Sequence, residues 1–297
     1  MDNILTLIAN PQRRDLDAAP IETALAALKS ANATVAAPVW LASGVAVDAP
    51  FSNLSPEQAQ GVVKQALSGA PFDVVAQPVA NRRKQLLVAD MESTIIENEM
   101  LDELAVEIGA SAEIAAVTAR AMNGELDFDD ALQARVALFA GLEAAALERG
   151  MAKIRIMPGA ESLVRTMRAN GAYCALVSGG FTYYTSEICN RIGFDIDQAN
   201  ILEVEGGVIK GTVTKPILGR DAKRDALNRF CTELNITTAS AMCVGDGAND
   251  LAMLAAAGAG VAFHAKPIVA EQARINIDNG DLTALLYLQG YRQSEFV

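Results

Sequence analysis

The sequence predicts an α/β chain. A Rossmann-like parallel sheet carries a helical cap insert and is preceded by a small α+β module of ferredoxin-like order. Three observations carry this expectation. Short apolar runs, each closed by a polar or glycine-rich turn and followed by a helical pattern, occur at "LLVAD", "AYCALVSGG" and "SAMCVGDGAND". Strands alternating with helices indicate a parallel sheet covered on both faces. A helical stretch of about 99–150 separates the first of these runs from the second, where it would stand over the strand ends as a cap. The first eighty residues read β-α-β-β-α-β, the order of a ferredoxin-like unit. The expected domains are therefore 1–80 and 81–297.

The elements follow in order. "NILTLIA", Asn3 to Ala9, reads as a strand. Ile21 to Ser30, with Ala24, Leu25 and Leu28 on one face, reads as an amphipathic helix. "TVAAPVWLA" and "GVAVDA" read as two strands split at Ser43-Gly44. Ser55 to Leu67 opens on Ser-Pro-Glu, a helix start with proline in the first turn. "FDVVAQP" closes the module, and the basic "NRRK", Asn81 to Lys84, reads as a solvated linker. Beyond the cap, "ILEVEGGVIKGTV" reads as a hairpin turning at Gly206-Gly207. "GRDAKRDALNRF" starts a helix near Asp221.

Composition excludes several classes. The 297 residues are 51% hydrophobic and 20% charged, the profile of a globular chain with a real core. A net charge of −12 argues against a nucleic-acid binder, which needs clustered Lys and Arg, and leaves room for a divalent cation among carboxylates. The four cysteines form no C-x-x-C pair, so neither a zinc ribbon nor a redox dithiol is indicated, and a reducing compartment fits. Asp2 precedes the first apolar residues, no basic leader pattern is visible, and the apolar run Leu251 to Phe263 is too short to span a bilayer. The expectation is a cytoplasmic protein that engages neither membrane nor nucleic acid, with a homodimer left open.

In a parallel sheet of this kind, ligands bind beyond the carboxyl ends of the strands, where the unusual residues sit. Asp90 and Glu92 close the first run, and side chains at i and i+2 of an extended segment point to one side, with Met91 pointing away. Two close acids repel, so a cation is expected beside them or one acid keeps its proton. Thr94 and Glu97 read as the capping box of the next helix. "VSGGF" puts Ser178 and Gly179 at a second strand end, where a hydroxyl and free N–H groups suit a phosphate oxygen. Lys223 lies in the first turn of its helix, where it opposes the helix dipole and could serve an anion. "CVGDGAND" sets Asp246, Asn249 and Asp250 after a third strand, hard oxygen ligands that suit Mg²⁺. Each segment alone is an ordinary turn or surface feature; their joint placement is not.

In order and spacing the four segments resemble the motifs of the haloacid-dehalogenase-like (HAD) phosphohydrolases, and more closely the phosphoserine phosphatases, over Gln85 to Gln289. Glu99 matches the Glu that opens that family's cap, Met122 and Phe128 match apolar cap positions, and "LQARVALFAGL" supplies Arg135. The first eighty residues are similar to ACT-like modules by element order alone. The resemblance implies that Asp90 attacks phosphorus to form an aspartyl-phosphate, and that Mg²⁺ is held by Asp90, Asp246 and the backbone carbonyl of Glu92. It implies that Ser178, Gly179 and Lys223 hold the phosphoryl oxygens, while Asn249 and Asp250 orient the metal shell and Lys223. Glu92 would be the acid–base. Glu99 would pair with the substrate ammonium, and Arg135 with its carboxylate. The implied reaction is hydrolysis of phosphoserine to L-serine, the last step of serine biosynthesis.

Glu92 departs from the pattern, because the family usually has Asp there. Glu is one methylene longer, and a related branch, the phosphoserine:homoserine phosphotransferases, carries it. Transfer to another alcohol is therefore the alternative reaction, and an amino-acid sensor with a vestigial site is the alternative class. A Ser-His-Asp hydrolase is disfavoured because the only histidine is His264, in "GVAFHAK", where a local hydrogen bond is expected. The absence of a G-x-x-x-x-G-K-[ST] loop excludes a P-loop NTPase.

Overall fold

Strand β1 (Asn3–Ala9) alternates into a sheet buried on both faces, and its neighbours are fixed by antiparallel register: Leu5 faces Ala49 on one side and Ala76 on the other. The computed structural model describes residues 1–122, 125–219 and 221–297, without the side chains of Ala121 and Met122. Helix α1 (Ala18–Ser30) is capped by Asp17, whose carboxylate accepts the Ala19 N–H. The expected strand "TVAAPVWLA" is instead two pieces, β2 (Thr34–Val35) and β3 (Val39–Ala42), both paired to β4 (Ala46–Ser52). Pro38 explains the break, since a proline has no N–H for the ladder. Helix α2 (Pro56–Ala66) starts at Ser55, whose hydroxyl accepts the Gln58 N–H while Gln58 returns a bond to the Ser55 N–H. With β5 (Phe72–Pro78) the sheet order is β2-β4-β1-β5, with β3 also on β4, the ferredoxin-like arrangement the element order predicts.

The linker reading is overturned. Arg82 is half-buried and paired, not solvated. Its guanidinium forks onto Asp48 at 2.6 and 2.7 Å, and also donates to the carbonyls of Tyr287 and Leu288 and to the Thr6 hydroxyl. Arg83 lies over the Tyr291 ring, and the Lys84 ammonium donates to the Ala239 carbonyl. Desolvating a charge is costly unless it is paired, and each of the three Arg82 side-chain nitrogens has a partner. Nearby, Asp73 on β5 is 4% exposed, and its carboxylate collects the N–H groups of Asp278, Asn279 and Gly280. The module is thus stapled to the rest of the chain through Asp48–Arg82 and through Asp73, with Gln60 and Gln77 adding bonds to the carbonyls of Arg274 and Leu288.

The second sheet opens with β6 (Leu86–Ala89). Helices α3 (Met100–Ile108), α4 (Ser111–Met122), α5 (Phe128–Ala137) and α6 (Ala145–Ala152) follow as the insert. Next come α7 (Ala160–Ala169), β7 (Tyr173–Phe181), α8 (Thr182–Ile192), β8 (Ile196–Asn200) and the hairpin β9 (Leu202–Glu205) and β10 (Val208–Val213). The hairpin turns at Gly206 and Gly207, both at positive φ, as a two-residue turn requires. The chain ends through α9 (Ala222–Glu233), β11 (Ala241–Gly245), α10 (Leu251–Ala256), β12 (Ala259–Phe263), α11 (Pro267–Gln272), β13 (Ile275–Ile277) and α12 (Ala284–Leu288). The sheet runs β13-β12-β11-β6-β7-β8 with every pair parallel. Its inner strands β6, β7, β11 and β12 are mostly apolar because helices cover both faces, while the edge strand β8, "IDQAN", is polar. All four cysteines are buried free thiols. No helix among the described residues is long and apolar enough to cross a membrane.

The hairpin also grips the insert. Ile209 exchanges backbone bonds with Gly141 and Leu142, each 2.8 Å, and Ala144 donates to the Gly207 carbonyl.

The expected Thr94–Glu97 capping box does not form. Residues 91–94 turn tightly on the Met91 carbonyl, Ile96 bridges to Ile156, and the helix begins only at Met100. Thr94 is fully buried, and Glu97 pairs with Arg155. Tertiary contacts outweigh a local capping motif here.

Candidate active site

The parallel sheet places β6 at its centre, so Asp90, Ser178 and Asp246 leave adjacent strands at the same edge. Asp90 follows β6 directly; its N–H donates to the Val244 carbonyl, and one carboxylate oxygen accepts the Met91 N–H. The Lys223 ammonium lies 2.8 Å from Asp90 and 2.7 Å from Asp250. These groups are sealed from water: Lys223 is 4% exposed, Asp90 6%, Asp246 6% and Asp250 0%. The cation that the acid pair called for is therefore Lys223, brought in from α9.

Burial disfavours the Lys223 ammonium, but Asp250 and Asp90 overcome it and hold the group above its ordinary range. Burial pushes the Asp90 carboxyl well up, with Lys223 opposing and Asp250 and Asp246 adding to the rise. Asp246 is raised by burial too, with Lys266 opposing.

Asp90, Asp246 and Asp250 offer carboxylate oxygens within 4.8 Å of one another. Three acids around one buried ammonium leave an excess of negative charge in a place of low dielectric, and hard oxygen donors so arranged fit Mg²⁺. Asp250 belongs to this cluster by position, although its oxygens are engaged by Lys223 and by the Gly247 N–H. The turn that carries it needs glycine, because a Cβ on Gly245 would overlap the Asp250 carboxyl.

Ser178 is 2% exposed, and its hydroxyl accepts the Gly180 N–H at 2.9 Å. The Phe128 ring, at the start of α5, lies 3.0 Å from where a Cβ of Gly179 would stand. Phe128, Ser178, Gly179, Lys223 and Asn249 line one narrow cavity of about 10 Å³. A wider groove beside it, lined by Gln198, Asp221 and Arg229, holds none of the clustered carboxylates.

Glu92 reaches a different partner from Asp90. One oxygen accepts the Met100 N–H at 2.8 Å, the first N–H of α3, and the other would lie 3.0 Å from a Cβ on Gly180. Its carboxyl is pushed up to about 7, first by burial and then by Glu99, against the Met100 N–H, Lys223 and Arg135. The extra methylene thus ties the acid to the insert. Glu99 is exposed at the N-cap of α3 and accepts the Ser93 hydroxyl at 2.7 Å. Arg135 is half-buried on α5, its Nε on the Ala131 carbonyl, and it faces Glu92, Asp102 and Glu99. The Met122 side chain lies outside the described residues.

Two residues escape sequence reasoning. Asn200 is buried at the end of β8; its amide donates to the Gly179 carbonyl at 2.9 Å, and its oxygen accepts the Leu218 N–H at 2.7 Å. Lys266, just past β12, donates its N–H to the Asp246 carbonyl and holds its ammonium 3.4 Å from the Asp246 carboxylate. The available signal was position: each follows a strand of the same sheet, and "GVAFHAK" ends a fourth strand edge.

Comparison with known proteins agrees with this arrangement. The profile of the haloacid dehalogenase-like hydrolase family matches residues 87–255. A phosphoserine phosphatase of Streptomyces coelicolor is 43% identical over 230 residues, 77% of this chain and 56% of that one. The chain spans about half the length of the first curated relatives it matches. A solved HAD family hydrolase from Salmonella enterica serovar Typhi superposes with a TM-score of 0.83 at 28% identity, covering 96% of this chain and 98% of that one. A phosphoserine phosphatase solved as a phospho-aspartyl intermediate analogue superposes with a TM-score of 0.65 at 36% identity, over 69% of this chain and 98% of that one. With its profile match over more than half of its length, and the carboxylate cluster at the sheet edge where that profile lies, the chain belongs to the haloacid dehalogenase-like hydrolase family.

Proposed function

We propose that this protein is a Mg²⁺-dependent phosphoserine phosphatase that releases L-serine and phosphate. The observation that carries the reading is the buried Asp90–Lys223–Asp250 unit beside Asp246, with Ser178 and Gly179 alongside under Phe128. That arrangement supports the reading of a site for a compact dianion and a carboxylate nucleophile. The phosphoserine phosphatases among its relatives support the choice of ester.

Asp90 would attack phosphorus as the bond to the serine oxygen breaks, with Glu92 supplying the proton that the leaving alkoxide needs. Water, giving its proton to Glu92, would then attack the phosphorus of the aspartyl-phosphate and free Asp90. Lys223, the Ser178 hydroxyl and the Gly179 N–H would hold the phosphoryl oxygens throughout. Asp90, Asp246 and the Glu92 carbonyl would hold Mg²⁺, with Asp250 and Asn249 orienting them; when bound, the ion supplies charge neutralisation. Glu99 would meet the substrate ammonium and Arg135 its carboxylate.

Phosphate release from O-phospho-L-serine should require MgCl₂, stop with EDTA, and fall to background in Asp90→Asn. Turnover that survives in Asp90→Asn removes the nucleophile. Equal turnover of p-nitrophenyl phosphate and phosphoserine removes the selectivity assigned to Glu99 and Arg135. Glu92 keeps a second reading in view, transfer to an alcohol such as homoserine. The same assay with homoserine present, read by phosphorus NMR, decides it by the product formed.

A further inference from the structure

Of the contacts that hold the N-terminal module, the staple at Asp73 leads to the candidate active site. The Asp73 carboxylate has no cationic partner in its bonding. One oxygen accepts the N–H groups of Asp278 and Asn279 and the Asn279 amide, and the other accepts the Gly280 N–H at 2.8 Å. A side chain from the module thereby shapes the loop that follows β13.

That loop is tied in turn to His264. The ring Nε2 stands 2.8 Å from the Gly280 carbonyl, so it must carry the proton and donate, and the His264 N–H donates to the Ile277 carbonyl at 2.9 Å. His264 sits at φ 45°, a left-handed conformation that a side chain other than glycine adopts at a cost and keeps where its surroundings hold it. The turn made there delivers Lys266, whose N–H donates to the Asp246 carbonyl at 3.1 Å and whose ammonium approaches the Asp246 carboxylate at 3.4 Å. Groups that hold a ligand residue from behind set its orientation.

We propose that Asp73 of the N-terminal module is a positioning residue for Asp246, acting through the 278–280 loop, His264 and Lys266, so that the module helps to build the Mg²⁺ site. The proposal rests on the reading of Asp246 as a metal ligand. The second staple supplies the internal contrast. Arg82 forks onto Asp48 of the module, but it reaches the carbonyls of Tyr287 and Leu288 on α12 and makes no hydrogen bond to the 264–280 segment.

The experiment is a calorimetric titration of MgCl₂ into the metal-stripped full chain, without substrate, for wild type, Asp73→Asn, His264→Ala, the double variant, and Arg82→Met. Asp73→Asn and His264→Ala should each weaken Mg²⁺ binding about threefold to tenfold. The double variant should bind no more weakly than the weaker single, the mark of two links in one chain. Arg82→Met should lower the melting temperature while its Mg²⁺ affinity stays within about twofold of wild type. Should Asp73→Asn not fold, His264→Ala carries the test, since its ring is exposed. Wild-type affinity in either single variant, additive losses in the double, or an equal loss in Arg82→Met overturns the proposal. A wild-type chain that binds no Mg²⁺ removes the metal-ligand reading itself, and the proposal with it.

Discussion

Replacing Lys223 with methionine isolates the electrostatic logic of the site. Lys223 is the buried cation that faces Asp90 at 2.8 Å and Asp250 at 2.7 Å, all three being under 10% exposed. Methionine has similar bulk, so the packing loss is small and the charge loss is complete. Breaking a buried ion pair on one side costs about 3–5 kcal/mol, because the remaining charge has no partner. For a chain of this size each kcal/mol moves the melting temperature by about 2–4 °C, so a drop of roughly 6–20 °C is expected at pH 8 in EDTA. The sign with pH follows from Asp90. Its carboxyl is already held above its ordinary 3.8 by burial, and losing Lys223 raises it further. A raised carboxyl stabilises the fold fully below its unfolded value, and that contribution is lost as pH rises through the folded one. The gap between variant and wild type should therefore narrow as pH falls from 8 towards 5. Adding MgCl₂ at pH 8 should narrow it as well. Thermal melts followed by circular dichroism at both pH values, with and without Mg²⁺, read all of this. A variant that melts within about 2 °C of wild type at pH 8 in EDTA would refute the reasoning.

Three further outcomes are expected. Glu92 has its carboxyl at about 7 against an ordinary 4.5, so the fold favours its neutral form below 4.5 and loses that contribution as pH rises to about 7. Metal-free Glu92→Gln should gain up to roughly 3 kcal/mol over wild type at pH 8 and nothing at pH 4, by denaturant titration. Gly245→Ala drives a methyl group into the Asp250 carboxyl, and should cut kcat by about 100-fold or more and weaken Mg²⁺ binding in the same calorimetric titration. Phe128→Ala uncovers Gly179 and should raise KM for phosphoserine about tenfold with a smaller change in kcat, by steady-state kinetics.

The strand edges were legible because each is an apolar run broken by residues that no core tolerates without reason: Asp90 after "LLVA", Ser178 after "CALV", Asp246 after "AMCVG". The order of the first module was legible from its turns and from the cap at Ser55. Other features were not, for one physical reason: their partners lie far along the chain. Arg82 looked like a solvated linker because Asp48 and Leu288 are 34 and 206 residues away. Asn200 and Lys266 acquire meaning only when β8 and β12 take their places in the sheet. The Thr94 motif misled because it obeys the local capping rule, while Met91 and Ile96 are drawn into the core and leave no room for a helix there.

The hairpin's grip on residues 141–144 has a consequence for motion. Backbone bonds from Ile209 and Gly207 hold that end of the insert, while at the far end of α5 the Phe128 ring lies against Gly179. This asymmetry predicts that any opening of the insert is a swing about a fixed edge, like a door on its jamb, and not a lift of the whole insert. Amide protons of Gly141, Ala144 and Ile209 should exchange slowly through catalysis, while the widest excursion falls at Phe128.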